Sequence, residues 1–60
     1  MRVLTLTELM RLTRTELCAL LTRITNELPD LPEGSVERAN AYANIGNIRR
    51  LLASRAPSPG

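Results

Sequence analysis

Few residues in this chain of 60 have side chains suited to bond-making chemistry. It has one cysteine, Cys18, one tyrosine, Tyr42, six carboxylates and eight arginines, and neither histidine nor lysine. General acid–base catalysis most often uses histidine. A cysteine nucleophile needs a neighbouring base, and no histidine is present to act as one for Cys18. Cys18 is therefore expected to serve as a small buried hydrophobe. One cysteine cannot form an internal disulfide, and without histidine the usual zinc sites are excluded. Glu27, Asp30, Glu33 and Glu37 could attract a hard cation. They lack the alternating-acid loop with its central glycine that calcium sites require, so a solvated acidic face is expected. There is no Gly-rich phosphate loop. These patterns predict no catalytic, metal-binding or cofactor-binding residue, and hence no enzyme.

The arginines suit interfaces and phosphates alike, because guanidinium is planar and bonds bidentately. Their excess is small, with a net charge of +2. The charge is also unevenly placed. Residues 27–37 carry four acids and no base, so that window is −4 and the rest of the chain is +6. The longest apolar run, Leu17 to Leu21, is five residues, far short of a membrane span. The first residues soon meet Glu8 and Arg11, unlike a secretory signal. A cytoplasmic protein with a reduced thiol and no membrane contact is expected.

The elements that position these residues are helical. Thr5-Leu6-Thr7-Glu8-Leu9-Met10-Arg11-Leu12 is echoed by Thr13-Arg14-Thr15-Glu16-Leu17-Cys18-Ala19-Leu20. Each copy carries Thr-x-x-Glu, the capping box that opens a helix. Two start signals eight residues apart predict a short helix near 6–12 and a longer one near 14–28. The alternative is one continuous helix from 6 to 28. Leu17, Leu20, Leu21, Ile24 and Leu28 form an apolar stripe at helical spacing. Pro29 stops that helix and biases Leu28 away from helical angles. Residues 29–35 then read as an acidic, Pro-rich hinge, with Leu31 plugging the core. Gly34 is suited to positive φ and Ser35 to an N-cap.

A third helix is expected over about 36–54. Ala41, Ile45, Ile48 and Leu52 make its aliphatic stripe, with Leu51 beside it. Asn40, Asn44 and Asn47 make a polar face, and Ala39, Ala43, Gly46 and Ala53 a small-residue face. Glycine inside a helix costs close to ~1 kcal/mol relative to alanine, so Gly46 suggests that another backbone comes close. That neighbour is either the first helix folded across it, a partner, or a second copy in a homodimer. Arg38, Tyr42 and Arg49 flank this face, and Tyr and Arg are enriched at binding hot spots. Tyr42 could instead be a half-buried core ring. The expectation is an all-α, compact three-helix domain over residues 1–55 with a disordered tail at 56–60. Its partner-binding residues would be Arg38, Ala39, Tyr42, Ala43, Gly46 and Arg49.

A DNA-binding alternative comes from residues 12–21, which look like the first helix of a helix-turn-helix unit. Here the helix runs on instead of turning, and the next break is an acidic loop that repels phosphate. Arg38, Asn40, Asn44, Asn47, Arg49 and Arg50 could read base edges, but they are spread around the third helix.

The segments Glu8-Leu9-Met10-Arg11-Leu12-Thr13-Arg14-Thr15-Glu16-Leu17-Cys18 and Leu28–Ala41, with Asn47-Ile48-Arg49-Arg50, resemble short uncharacterised proteins of rhizobial and related proteobacterial mobile elements. The resemblance covers about residues 4–55. Such proteins in turn resemble the QseM-type antiactivators, which block quorum-sensing-controlled conjugative transfer by binding LuxR-type activators and excision activators. The resemblance implies a small regulatory adaptor whose partner is a transcriptional regulator. It transfers no site residue.

Overall fold

In a computed structural model of the chain, residues 2–55 are described, and the expected tail at 56–60 lies outside them. Three α-helices follow an extended N-terminal segment: α1 (Leu6–Met10), α2 (Arg14–Glu27) and α3 (Val36–Arg55), with a 3-10 turn at Leu28–Asp30. No strand occurs among the described residues. The protein is an all-α three-helix domain, as its patterning predicts.

Both Thr-x-x-Glu signals act as helix starts. The Thr5 hydroxyl accepts from the Glu8 amide at 3.1 Å, and the Glu8 carboxylate accepts from the Thr5 amide at 3.0 Å. The same exchange joins Thr13 and Glu16, at 3.1 and 2.8 Å. Thr13 is extended, at φ −71 and ψ 165, so the break between α1 and α2 is real. Each cap stabilises its helix by about 1 kcal/mol. α1 is shorter than expected, with Arg11 as its C-cap.

The turn after α2 departs from one expectation. Leu28 keeps helical angles, φ −51 and ψ −45, and its amide donates back to the carbonyls of Ile24 and Thr25. Pro29 ends the α-helix, but the chain tightens into a 3-10 turn where proline at the first positions forfeits no hydrogen bond. Gly34 takes the positive φ of 77 that glycine permits. Ser35 caps α3, its hydroxyl accepting from the Arg38 amide at 3.1 Å.

α3, the longest helix, packs against both α1 and α2. Leu9 of α1, Leu17 and Ile24 of α2, and Ala41 and Ile48 of α3 are fully buried. Leu4, Leu12, Leu20, Leu21, Leu28, Leu31, Ile45, Leu51 and Leu52 pack around them. Leu31 thus joins the core from the hinge, as its place between two prolines suggests.

Two side chains lie on the opposite side of the surface from expectation. Cys18 is exposed. At about 100° per residue it sits one step outside the arc of Leu17, Leu21 and Ile24, and that step carries it into solvent. Asn44 is fully buried. It shares a helix face with Ala41 and Ile48, so the polar face assigned to Asn40, Asn44 and Asn47 runs through the core at its middle member. Both ends of its amide group are hydrogen-bonded. Oδ1 accepts from the Leu4 amide at 2.7 Å, and Nδ2 donates to the Arg2 carbonyl at 2.9 Å. Asn44 therefore ties the extended N-terminal segment to α3.

Candidate functional site

The six residues predicted to meet a partner all lie on α3, across an arc of roughly 140°. Ala39, Tyr42, Ala43, Gly46 and Arg49 are exposed, and Arg38 is half-buried. This arc faces away from Ala41, Asn44 and Ile48. A methyl group built on Gly46 would meet no atom within 4 Å beyond the nearby backbone of its own helix. The first helix therefore does not fold across the small-residue face. No close approach within the described chain accounts for the glycine.

Arg38 and Tyr42 form the polar end of this surface. Tyr42 is 52% exposed and is not among the side chains packed on the core. The Arg38 guanidinium lies 5.6 Å from the Tyr42 ring centroid, within cation–π range. Its Nη2 donates to the Tyr42 hydroxyl at 3.3 Å. Its Nη1 donates to the carbonyls of Leu28 and Leu31 at 3.2 and 3.1 Å. Those carbonyls belong to the turn that closes α2, where the negative helix end attracts a cation. Arg38 thus braces the hinge against α3 and holds Tyr42 in place, a structural duty that spacing alone did not reveal.

Arg38, Ala39 and Tyr42 also line an open depression of about 340 Å³ with Glu33, Gly34 and Ser35. Residues 33–35 are absent from the predicted partner-binding set, and their position immediately before α3 is the signal that brings them beside its first turn. Ala43, Gly46 and Arg49 continue the surface along the helix beyond this depression. The structure thus joins three of the predicted residues in one concavity and places the other three on the adjoining ridge.

A second group of side chains lies at the N-terminal end. The Arg2 guanidinium donates to both carboxylate oxygens of Glu8, at 2.8 Å for Nη1 to Oε1. This bond is the main cause of the Glu8 pKa being lowered to about 2, with the Thr5 amide adding to it. Beside this segment a cleft of about 210 Å³ opens between Leu4, Leu20, Ile24 and Asn44. Arg23 and Glu27, paired at 3.6 Å, also line it. Among the described residues no group of three or more Cys, Asp or Glu is placed to hold a metal ion.

These features define a small helical domain whose α3 keeps an exposed outer face. Among the described residues no helix is long and apolar enough to cross a membrane. No family model, curated protein or solved structure matches the chain.

Proposed function

We propose that this chain is a small regulatory adaptor that binds a protein partner through the outward face of α3. The observation that carries this reading is Gly46. A helix interior bears the cost of a glycine, yet nothing in the described chain approaches it. A partner helix packed closely on Ala39, Ala43 and Gly46 gives that residue a use. Tyr42 supplies an aromatic anchor at the edge, already oriented by Arg38, so little side-chain entropy is lost when it is covered. The resemblance to antiactivator-like proteins of mobile elements makes a transcriptional regulator the partner of choice, in the cytoplasm.

The test is affinity capture from the native cell with the wild-type chain, Gly46→Leu and Ala43→Arg in parallel. Both variants point into open solvent and should keep the helical spectrum of the wild type. A transcriptional regulator captured by the wild type and lost with both folded variants supports the proposal. Capture that ignores both substitutions sinks it. So does tight duplex-DNA binding that weakens steeply with salt, the signature of phosphate contacts.

A further inference from the structure

We propose that residues 2–10, the extended segment and α1, form an arm that two copies of this chain exchange, so that each copy's arm docks on the α3 of the other. The inference stands on the N-terminal half of the molecule and is independent of the outward face of α3.

The arm docks on α3 by a few defined contacts. Leu9 is its fully buried side chain, and the Arg2 carbonyl and Leu4 amide are its bonds to Asn44. The packing beside it is incomplete, since the cleft of about 210 Å³ lies between Leu4 and the helices. Its own helix has five residues, too few to be stable unaided. The arm is therefore a unit of low local stability, of the kind that opens before the rest of a domain.

The joint between arm and body is short and poised between two shapes. Arg11 already has helical angles, φ −78 and ψ −14. The Leu12 amide bonds back to the Leu9 carbonyl at 3.1 Å. Thr13 then departs, at ψ 165. What holds the bend locally is the Thr13–Glu16 capping box. From Leu6 to Glu27 there is neither proline nor glycine. Rotation at the joint would join α1 and α2 into one helix of about 33 Å. That helix would also pair main-chain groups that each helix end now leaves to caps or water.

A straightened joint carries the arm away from its own α3. It would leave Leu9 in water and the buried amide of Asn44 without acceptor or donor, a costly state. A second copy's arm is identical, so it restores the Leu9 burial and both Asn44 bonds. Exchange preserves every arm contact and alters only the joint. Reciprocal exchange closes the pair with two-fold symmetry. Short connections at a joint are a recognised route to such swapping.

The experiment uses the full chain refolded as a mixture of isotope-labelled and unlabelled copies. Sedimentation gives the dimer dissociation constant, and isotope-filtered NOEs show which contacts cross between copies. Thr13→Ala removes the cap and favours the straight joint, and should lower the dissociation constant at least tenfold. Inserting two glycines after Leu12 should return the chain to monomer while leaving the arm able to dock on its own α3. In the dimer, NOEs between Leu4 or Leu9 of one copy and Ala41, Asn44 or Ile48 of the other are expected. If Thr13→Ala proves unfolded by circular dichroism, the wild type refolded at millimolar concentration replaces it, with the same NOEs expected. A monomer at that concentration, or a dimer unaffected by the glycine insertion, overturns the proposal. A dimer whose crossing NOEs involve Ala43 and Gly46 alone also overturns it.

Discussion

Asn44 is the residue whose chemistry most exceeds its appearance. Both halves of its amide are spent on main-chain groups forty residues or more away. Replacing it with leucine keeps the volume but leaves the Leu4 amide and Arg2 carbonyl without their partner. An orphaned buried polar group costs about 1–3 kcal/mol, so Asn44→Leu should destabilise the chain by about 2–3 kcal/mol in urea denaturation. Hydrogen exchange at the Leu4 amide should speed up in the same variant. Glu8 gives a pH signature. Its folded pKa, lowered to about 2 from 4.5, lies below its unfolded value. Its stabilising share is therefore fully present above about pH 4.5 and is lost as pH falls toward 2. An acid titration followed by circular dichroism should show this loss in the wild type. Glu8→Gln should flatten that part of the curve.

At the scale of elements, the legible parts were those with local causes. Two Thr-x-x-Glu boxes, a proline after Leu28 and a Gly-Ser pair before α3 each act on a few neighbouring residues, and all mark helix boundaries in the fold. What spacing could not show was which side of each helix meets the others. The stripe on α2 places Leu17 and Ile24 correctly, but the expected burial of Cys18, one step outside it, fails. Three asparagines at helical spacing read as one solvated face, because a partner for Asn44 lay at the far end of the sequence. Arg38 was misleading in a related way. Its spacing points to a partner, while its bonds to the Leu28 and Leu31 carbonyls are contacts across the hinge. Arg38→Ala should cost about 1–2 kcal/mol, since hydrogen bonds to charged groups are the stronger kind but this one is partly solvated. Arg38→Lys should recover part of that loss, because an ammonium can reach a carbonyl but lacks the planar fork. Gly46→Ala has the opposite sign. With open space around it, the added methyl should raise the stability of the free chain by about 0.5–1 kcal/mol. Thermal melts of the two variants would check both directions.

For the whole molecule, the governing fact is scarcity. Among the described residues five apolar side chains are fully buried, and a domain of this size gains only about 3–5 kcal/mol from its core. Truncating a buried leucine costs about 2–5 kcal/mol. Leu17→Ala should therefore leave the isolated chain largely unfolded at 25 °C, as read by far-UV circular dichroism. A partner or second copy that binds the folded form would rescue it by mass action. Added partner that restores the helical signal would report folding and binding in one measurement. The same scarcity explains why the N-terminal segment is drawn into the fold. Without Leu4 and Leu9, α3 would expose part of the little apolar surface that the three helices bury together.

The latch between the N-terminal segment and Asn44 also orders events in time. Its two ends are separated by forty residues. At roughly 5–20 residues per second of synthesis, the arm is made about 2–8 s before the side chain that will hold it. During that interval Leu9 has no α3 of its own to rest on. The arm therefore waits for α3, and the latch closes in an order set by synthesis as well as by the free energy of the folded state.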